Sequence, residues 1–176
     1  MQAFKYDIFE TPFGWVGVLA SPAGVRRCAL KPTPDGALAE LYPEVETARQ
    51  DEMALAPVRE RLLAYMRGEG VPLDGVPLDM EGATPFFRRA WEACRRIPLG
   101  ETRSYKWLAE QAGRPNAPRA AGQAMARNHL CLFVPCHRVI ASDGSLGGFG
   151  GGGLGVKKRL LEMERALVAG ASVGRL

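Results

Sequence analysis

The first third of the chain alternates and turns through three short, largely apolar stretches, Phe4–Phe9, Trp15–Ala20 and Val25–Leu30. A period of two is what a strand with one buried face requires, so the three predict a small antiparallel sheet. Ser21-Pro22-Ala23-Gly24 supplies the residues of a hairpin turn, and Pro32-Thr33-Pro34-Asp35-Gly36 ends the run. Between Asp51 and Arg67 the period changes: Leu55, Val58, Leu62, Tyr65 and Met66 follow helical spacing, which predicts an amphipathic helix covering the sheet. Glycine and proline then interrupt the chain from Gly68 to Gly82 and mark a crossing into a second half. There Thr84-Pro85 opens a helix that runs to about Ile97 before Pro98. Ser104 caps another, Tyr105 to Ala112, and Gly113-Arg114-Pro115-Asn116 breaks it. A third follows from Pro118 to about Arg127. Leu132-Phe133-Val134 reads as a short buried strand ended by Pro135. In the last helix Val156, Leu160, Glu164 and Leu167 share one stripe. The predicted fold class is therefore α/β (α+β). An N-terminal sheet with its covering helix occupies 1–82, and a mostly helical domain with a helix-turn-helix and a reactive loop occupies 83–176.

Composition adds bounds rather than detail. With 47% hydrophobic and 24% charged residues the chain has the make-up of an ordinary globular protein. No stretch approaches the roughly 18 consecutive apolar residues of a membrane span, and no basic leader opens the chain. The protein is expected to stay where it is made, without membrane association. Cysteines 28, 94, 131 and 136 form no paired framework, which suits a reducing compartment. Cys131, Cys136 and His137, with His129 nearby, match none of the usual zinc spacings, so no metal and no cofactor is expected. The net charge of +4 favours a polyanionic partner.

The chemistry concentrates in Val134-Pro135-Cys136-His137-Arg138. Only a thiolate attacks carbon, so a nucleophilic cysteine needs a neighbour that takes its proton or stabilises its charge. Successive side chains of an extended segment point apart, however, and a buried cysteine is often only a small hydrophobe. A direct bond between Cys136 and His137 would need a turn after Pro135; otherwise a water relays the proton. Glu164 is conspicuous because an acid on an apolar stripe requires a partner, and an arginine such as Arg138 would serve. The helix from Pro118 carries Ala120, Ala121, Gly122, Ala124 and Ala126, thin enough to approach a groove of about 6 Å that an ordinary helix cannot enter. Two short helices about a glycine turn fit either a helix-turn-helix or a plain helical hairpin. The run Gly148–Gly153 satisfies G-x-G-x-x-G but lacks the following βαβ unit and its acid, and Gly150-x4-Gly155 lacks the lysine of a phosphate loop. Glycine here better suits a backbone wall against a flat ligand.

Gly100-Glu101-Thr102-Arg103-Ser104-Tyr105, Arg119 to Met125, Asn128, Pro135 to Ile140, Gly144 to Phe149 and Lys157…Leu160-Leu161-Glu162-Met163-Glu164 resemble, in order and spacing, the methylated-DNA–protein-cysteine methyltransferases, the O6-alkylguanine-DNA alkyltransferases. The resemblance is close over Thr84–Leu167 and looser in front. It implies DNA repair by stoichiometric transfer of an alkyl group from O6-alkylguanine, and O4-alkylthymine, to Cys136, with the base flipped out through the minor groove. By resemblance Cys136, a water, His137 and Glu164 form a relay, Tyr105 donates to a guanine ring nitrogen, and Asn128 braces the active-site loop. Arg119 enters the base stack, and Ser104, Ala120, Gly122, Gln123 and Arg127 face DNA. Met125, Val139, Phe149 and Gly150 line the pocket. The implied partner is double-stranded DNA carrying O6-alkylguanine, bound by a monomer, in the cytoplasm (with the nucleoid in a bacterium, in the nucleus of a eukaryote). Four departures bear on pocket shape: Phe149 for tyrosine, Pro118 for alanine, His129 for proline, and one extra glycine. Two rivals are a non-enzymatic lesion-binding relative, which typically lacks the cysteine, and a helix-turn-helix transcription factor, which would want base-reading side chains in place of alanines.

Overall fold

The structure is a computed structural model that describes residues 3–147 and 153–173. Two compact units divide the chain, one of residues 1–81 with 129–133, the other of 82–128 with 134–176.

In the first unit the three alternating stretches form β1 (Lys5–Thr11), β2 (Gly14–Ser21) and β3 (Gly24–Lys31), antiparallel neighbours joined by tight turns. Gly24 is required at its turn: φ is +143°, and a Cβ would stand 2.4 Å from the carbonyl oxygen of Pro77. α2 (Glu52–Met66) starts at Asp51, whose carboxylate accepts from the Ala54 N–H at 2.9 Å, and buries Leu55, Leu62, Tyr65 and Met66. The sequence pattern missed a short helix and a fourth strand, among others. Thr33 and Pro34, expected only to end the sheet, cap and open the short helix α1 (Pro34–Ala39). β4 (Arg49–Gln50) pairs parallel with β1, giving the order β3-β2-β1-β4. Two residues are too few to show a period.

The expected strand over Leu132–Val134 is corrected. Leu132 has φ +76°, a left-handed conformation costly for a residue with a side chain, and Leu132-Phe133 form a turn. The apolar run is buried without being extended, an ambiguity that hydrophobicity alone cannot resolve. Just before the turn, Leu130 bridges Cys28 of β3 in parallel, with the Cys28 N–H on the His129 carbonyl at 2.9 Å and the Cys131 N–H on the Cys28 carbonyl at 3.1 Å.

In the second unit α3 (Pro85–Arg95) begins at Thr84, whose hydroxyl accepts from Phe87 N–H at 3.2 Å. α4 (Tyr105–Gln111) begins at Ser104, accepting from Trp107 N–H at 3.0 Å, and α5 (Pro118–Ala126) follows. Side chains of α3 tie this pair down: Arg89 Nε donates to the Ala112 carbonyl at 2.8 Å and Trp91 Nε1 to that of Ala124 at 2.9 Å. Both carbonyls belong to helix ends, where no intrahelical donor remains. β5 (Arg103–Ser104) and β6 (Val139–Ile140) pair in parallel, which sets Ser104 opposite Ile140. α6 (Leu154–Val173) closes the unit, seated on Gly100, where a Cβ would meet Val168 at 2.4 Å.

Candidate active site

Pro135, at φ −76° and ψ 67°, forms an inverse γ-turn in which Cys136 N–H reaches the Val134 carbonyl at 2.7 Å, and Cys136–Arg138 continue as a turn of 3-10 helix. This geometry, rather than an extended strand, presents the thiol. Asn128 Nδ2 donates to the same Val134 carbonyl at 3.0 Å. One acceptor thus holds both the asparagine after α5 and the amide of Cys136. Cys136 is half-buried, whereas Cys28, Cys94 and Cys131 are buried. Burial pushes the Cys28 and Cys94 thiols up, so both stay protonated.

His137 and Glu164 are fully buried, and His137 Nε2 lies 2.9 Å from Glu164 Oε2. The same carboxylate also takes Arg138, through Nε to Oε1 at 2.8 Å and Nη2 to Oε2 at 2.9 Å. Arg138 in turn donates from Nη1 to the Ile97 carbonyl at 2.8 Å. The two partners that the sequence offered Glu164 as alternatives are therefore both present. Burial would raise the Glu164 carboxyl, but the hydrogen bonds from His137 and Arg138 outweigh it and hold it at about 2. Burial pushes His137 below its ordinary range, against the opposing pull of Glu164. The pair is thus a carboxylate and a neutral imidazole. An ionised carboxylate accepts only, so Nε2 carries the hydrogen and Nδ1 is the basic nitrogen.

Tyr105, first residue of α4, is half-buried, and its hydroxyl lies over Gly147. A Cβ there would stand 2.9 Å from the phenolic oxygen, and φ is +67°. Burial, then the charge of Cys136, raises the Tyr105 phenol, which remains a donor at neutral pH.

Lys157 is the functional candidate that the sequence did not single out. It is fully buried and donates from Nζ to the carbonyls of Val139 at 2.8 Å and of Leu146. It joins the strand after the reactive turn to the loop that backs Tyr105. Its signals in the sequence were a place at the head of the Lys157…Leu160-Leu161-Glu162-Met163-Glu164 motif and a position next to the apolar stripe of α6. Burial lowers its pKa, and the charge of Cys136 opposes that.

On α5, Arg119 and Gln123 are exposed, as is Arg127 just after it, Ala120 and Gly122 are half-buried, and Ala121, Ala124 and Met125 buried. Val139 is fully buried beside the Lys157 bond. Phe149 and Gly150 lie outside the described residues. Among the described residues no cluster of three or more His, Cys, Asp and Glu side chains could hold a metal ion, and no helix is long and apolar enough to cross a membrane.

The family described as 6-O-methylguanine DNA methyltransferase, DNA binding domain, matches residues 85–166. A methylated-DNA–protein-cysteine methyltransferase of Mycolicibacterium paratuberculosis is 47% identical over 116 residues, 66% of this chain and 68% of that protein. The constitutive enzyme of that name from Bacillus subtilis is 43% identical over 119 residues, 68% of this chain and 71% of its own. The crystal structure of Mycobacterium tuberculosis OGT in complex with DNA superposes with a TM-score of 0.78 at 35% identity, covering 93% of this chain and 94% of that one. With a half-buried thiol beside a buried His–Glu pair, and 47% identity to a relative of which it covers 68%, the chain belongs to the methylated-DNA–protein-cysteine methyltransferase family.

Proposed function

We propose that this protein repairs DNA by moving the alkyl group of O6-alkylguanine, and of O4-alkylthymine, onto Cys136 in a single turnover. The observation that carries the assignment of roles is the buried His137–Glu164 pair immediately beside Cys136. Nδ1 of His137 takes the thiol proton, through a water, as Cys136 is engaged. Glu164 holds the tautomer and offsets the imidazolium charge. Arg138 limits that support, because its own positive charge already balances the carboxylate. The sulfur then attacks the alkyl carbon, the S–C bond forms as the C–O6 bond breaks, and the electron pair leaves with the purine. Tyr105 donates a hydrogen bond to the ring nitrogen where the charge collects. A thioether is stable, so Cys136 is consumed.

Chemistry on a base inside a duplex requires that base to leave the stack. Arg119, exposed near the start of α5, fills the gap with its planar guanidinium, while Ala120 and Gly122 allow close approach to the minor groove. Ser104, Gln123 and Arg127 contact the strands, Asn128 braces the reactive turn, and Met125, Val139, Phe149 and Gly150 shape the pocket. Residues 83–176 carry DNA binding and transfer, and the protein acts as a monomer in the cytoplasm, or wherever the cell keeps its DNA.

The test is intact-protein mass after incubation with duplex containing O6-methylguanine. A gain of one methyl on the peptide holding Cys136, absent in Cys136→Ser, is expected. Methyl transfer by the serine variant, or a label elsewhere, overturns the assignment.

A further inference from the structure

Charge is divided unevenly between the two units. Residues 1–81 hold thirteen aspartates and glutamates against eight lysines and arginines, a net of −5, whereas residues 82–176 hold six against fifteen, a net of +9. The overall +4 of the chain therefore conceals two opposite fields.

Bases of the first unit are largely tied to acids of the same unit. Arg59 meets the buried Asp7 at 2.9 Å, Arg27 meets Glu44 at 2.6 Å, and Arg26 reaches Asp79 at 3.4 Å and Glu44 at 3.5 Å. Lys5 and Arg49 share Asp51, at 3.6 and 2.8 Å. Such pairs cancel at short range and leave a surplus of exposed carboxylates. Glu10 at the end of β1, Glu46 between α1 and β4, Glu52 at the start of α2 and Glu69 beyond its end are all exposed, and among the described residues no ion pair engages any of them. In the second unit acids are the tied partners: Glu164 is buried with His137 and Arg138, and Glu101 receives Arg103 at 2.9 Å. Arg88, Arg96, Lys106, Arg114, Arg119 and Arg127 are exposed there.

Bases that displace counterions attract any duplex, damaged or not. The same polyanion repels a unit of net negative charge without touching it, over a distance set by the ionic strength. A repair protein consumed in one turnover gains nothing from a tight hold on undamaged DNA.

We propose that the N-terminal unit is an electrostatic counterweight: its surplus of exposed carboxylates weakens the hold of the second unit on undamaged duplex and so frees the protein to move between sites. The inference rests on the DNA-repair reading above. It gives the N-terminal sheet and its helices a task that needs no contact with DNA and no group of the reactive turn.

The measurement is affinity of the full-length protein for undamaged duplex across a salt series. One variant combines Glu10→Gln, Glu46→Gln, Glu52→Gln and Glu69→Gln; a second places Asp at the same four positions and keeps the charge. The Gln variant should bind several-fold tighter at about 10 mM salt, where charges act over about 30 Å, and less than about twofold tighter at 0.15 M, where they act over about 8 Å. The Asp variant should bind as the wild type does. Glu10→Gln with Glu69→Gln alone, neither in a first helical turn, should give a smaller gain of the same kind. With excess undamaged competitor at low salt, the Gln variant should transfer methyl groups from a lesion-bearing duplex more slowly, while transfer from free O6-methylguanine base stays unchanged. No gain at low salt, a gain of equal size at every salt, or a gain shared by the Asp variant overturns the proposal. A wild-type protein that binds no duplex at any salt sinks the underlying repair reading instead.

Discussion

Glu164 Oε2 lies 2.9 Å from His137 Nε2, with both side chains fully buried, and the same oxygen receives Arg138 Nη2 at 2.9 Å. The carboxylate therefore has two tasks, orienting the imidazole and neutralising the guanidinium. Glu164→Gln keeps the shape and a hydrogen-bond acceptor but removes the charge. Methyl transfer should slow roughly 10- to 100-fold, within the range for weakened proton transfer by a positioned base. Single-turnover transfer kinetics check this, alongside near-UV circular dichroism for folding. Unchanged kinetics in a folded variant would make the acid purely structural.

Acid should destabilise the protein in two stages. His137 and His129 both have pKa values below the ordinary 6.5, His129 at about 4, through burial and then the charges of Arg27 and Arg26. A depressed pKa means that the unfolded chain binds protons more readily, so stability present above pH 6.5 is lost as pH falls toward 4. Glu164, held at about 2 against 4.5, adds about 3 kcal/mol that is complete above pH 4.5 and lost on going toward 2. Urea midpoints from pH 7 to 4 should decline, and His129→Asn should flatten part of that decline.

Lys157→Met should destabilise the protein by roughly 2–4 kcal/mol, because a side chain of similar length leaves the buried carbonyl of Val139 and the half-buried one of Leu146 without their donor. Transfer should slow as well, since the loop behind Tyr105 loses its tie to β6. Denaturant midpoints and transfer rates measured on one preparation separate the two effects. A variant as stable and as fast as the wild type would show that the bonds contribute nothing.

Arg119→Ala should reduce transfer from duplex DNA by on the order of tenfold and spare transfer from the free alkylated base, which has no stack to leave. Parallel rate measurements on the two substrates decide it. Equal losses on both would place the action of Arg119 somewhere other than extrusion.

Local pattern determined much of this protein. Short apolar-rich stretches bounded by turn residues mark β1, β2 and β3 within one or two residues, because a strand and the turns that bound it are written in consecutive residues. Thr84 and Ser104 mark their helices because a cap bonds only three residues away. An acid on the stripe of α6 announced that Glu164 needs a partner. What a partner is, and how many there are, depends on packing between elements distant in sequence. Only the folded chain brings His137 and Arg138 to one carboxylate, lays Tyr105 over Gly147, and buries Lys157 between two carbonyls. Tertiary structure also decided the turn at Leu132. An apolar run states that it is buried, but whether it extends or reverses is set by the bonds waiting on either side, here Cys28 before the turn and Asn128 after it.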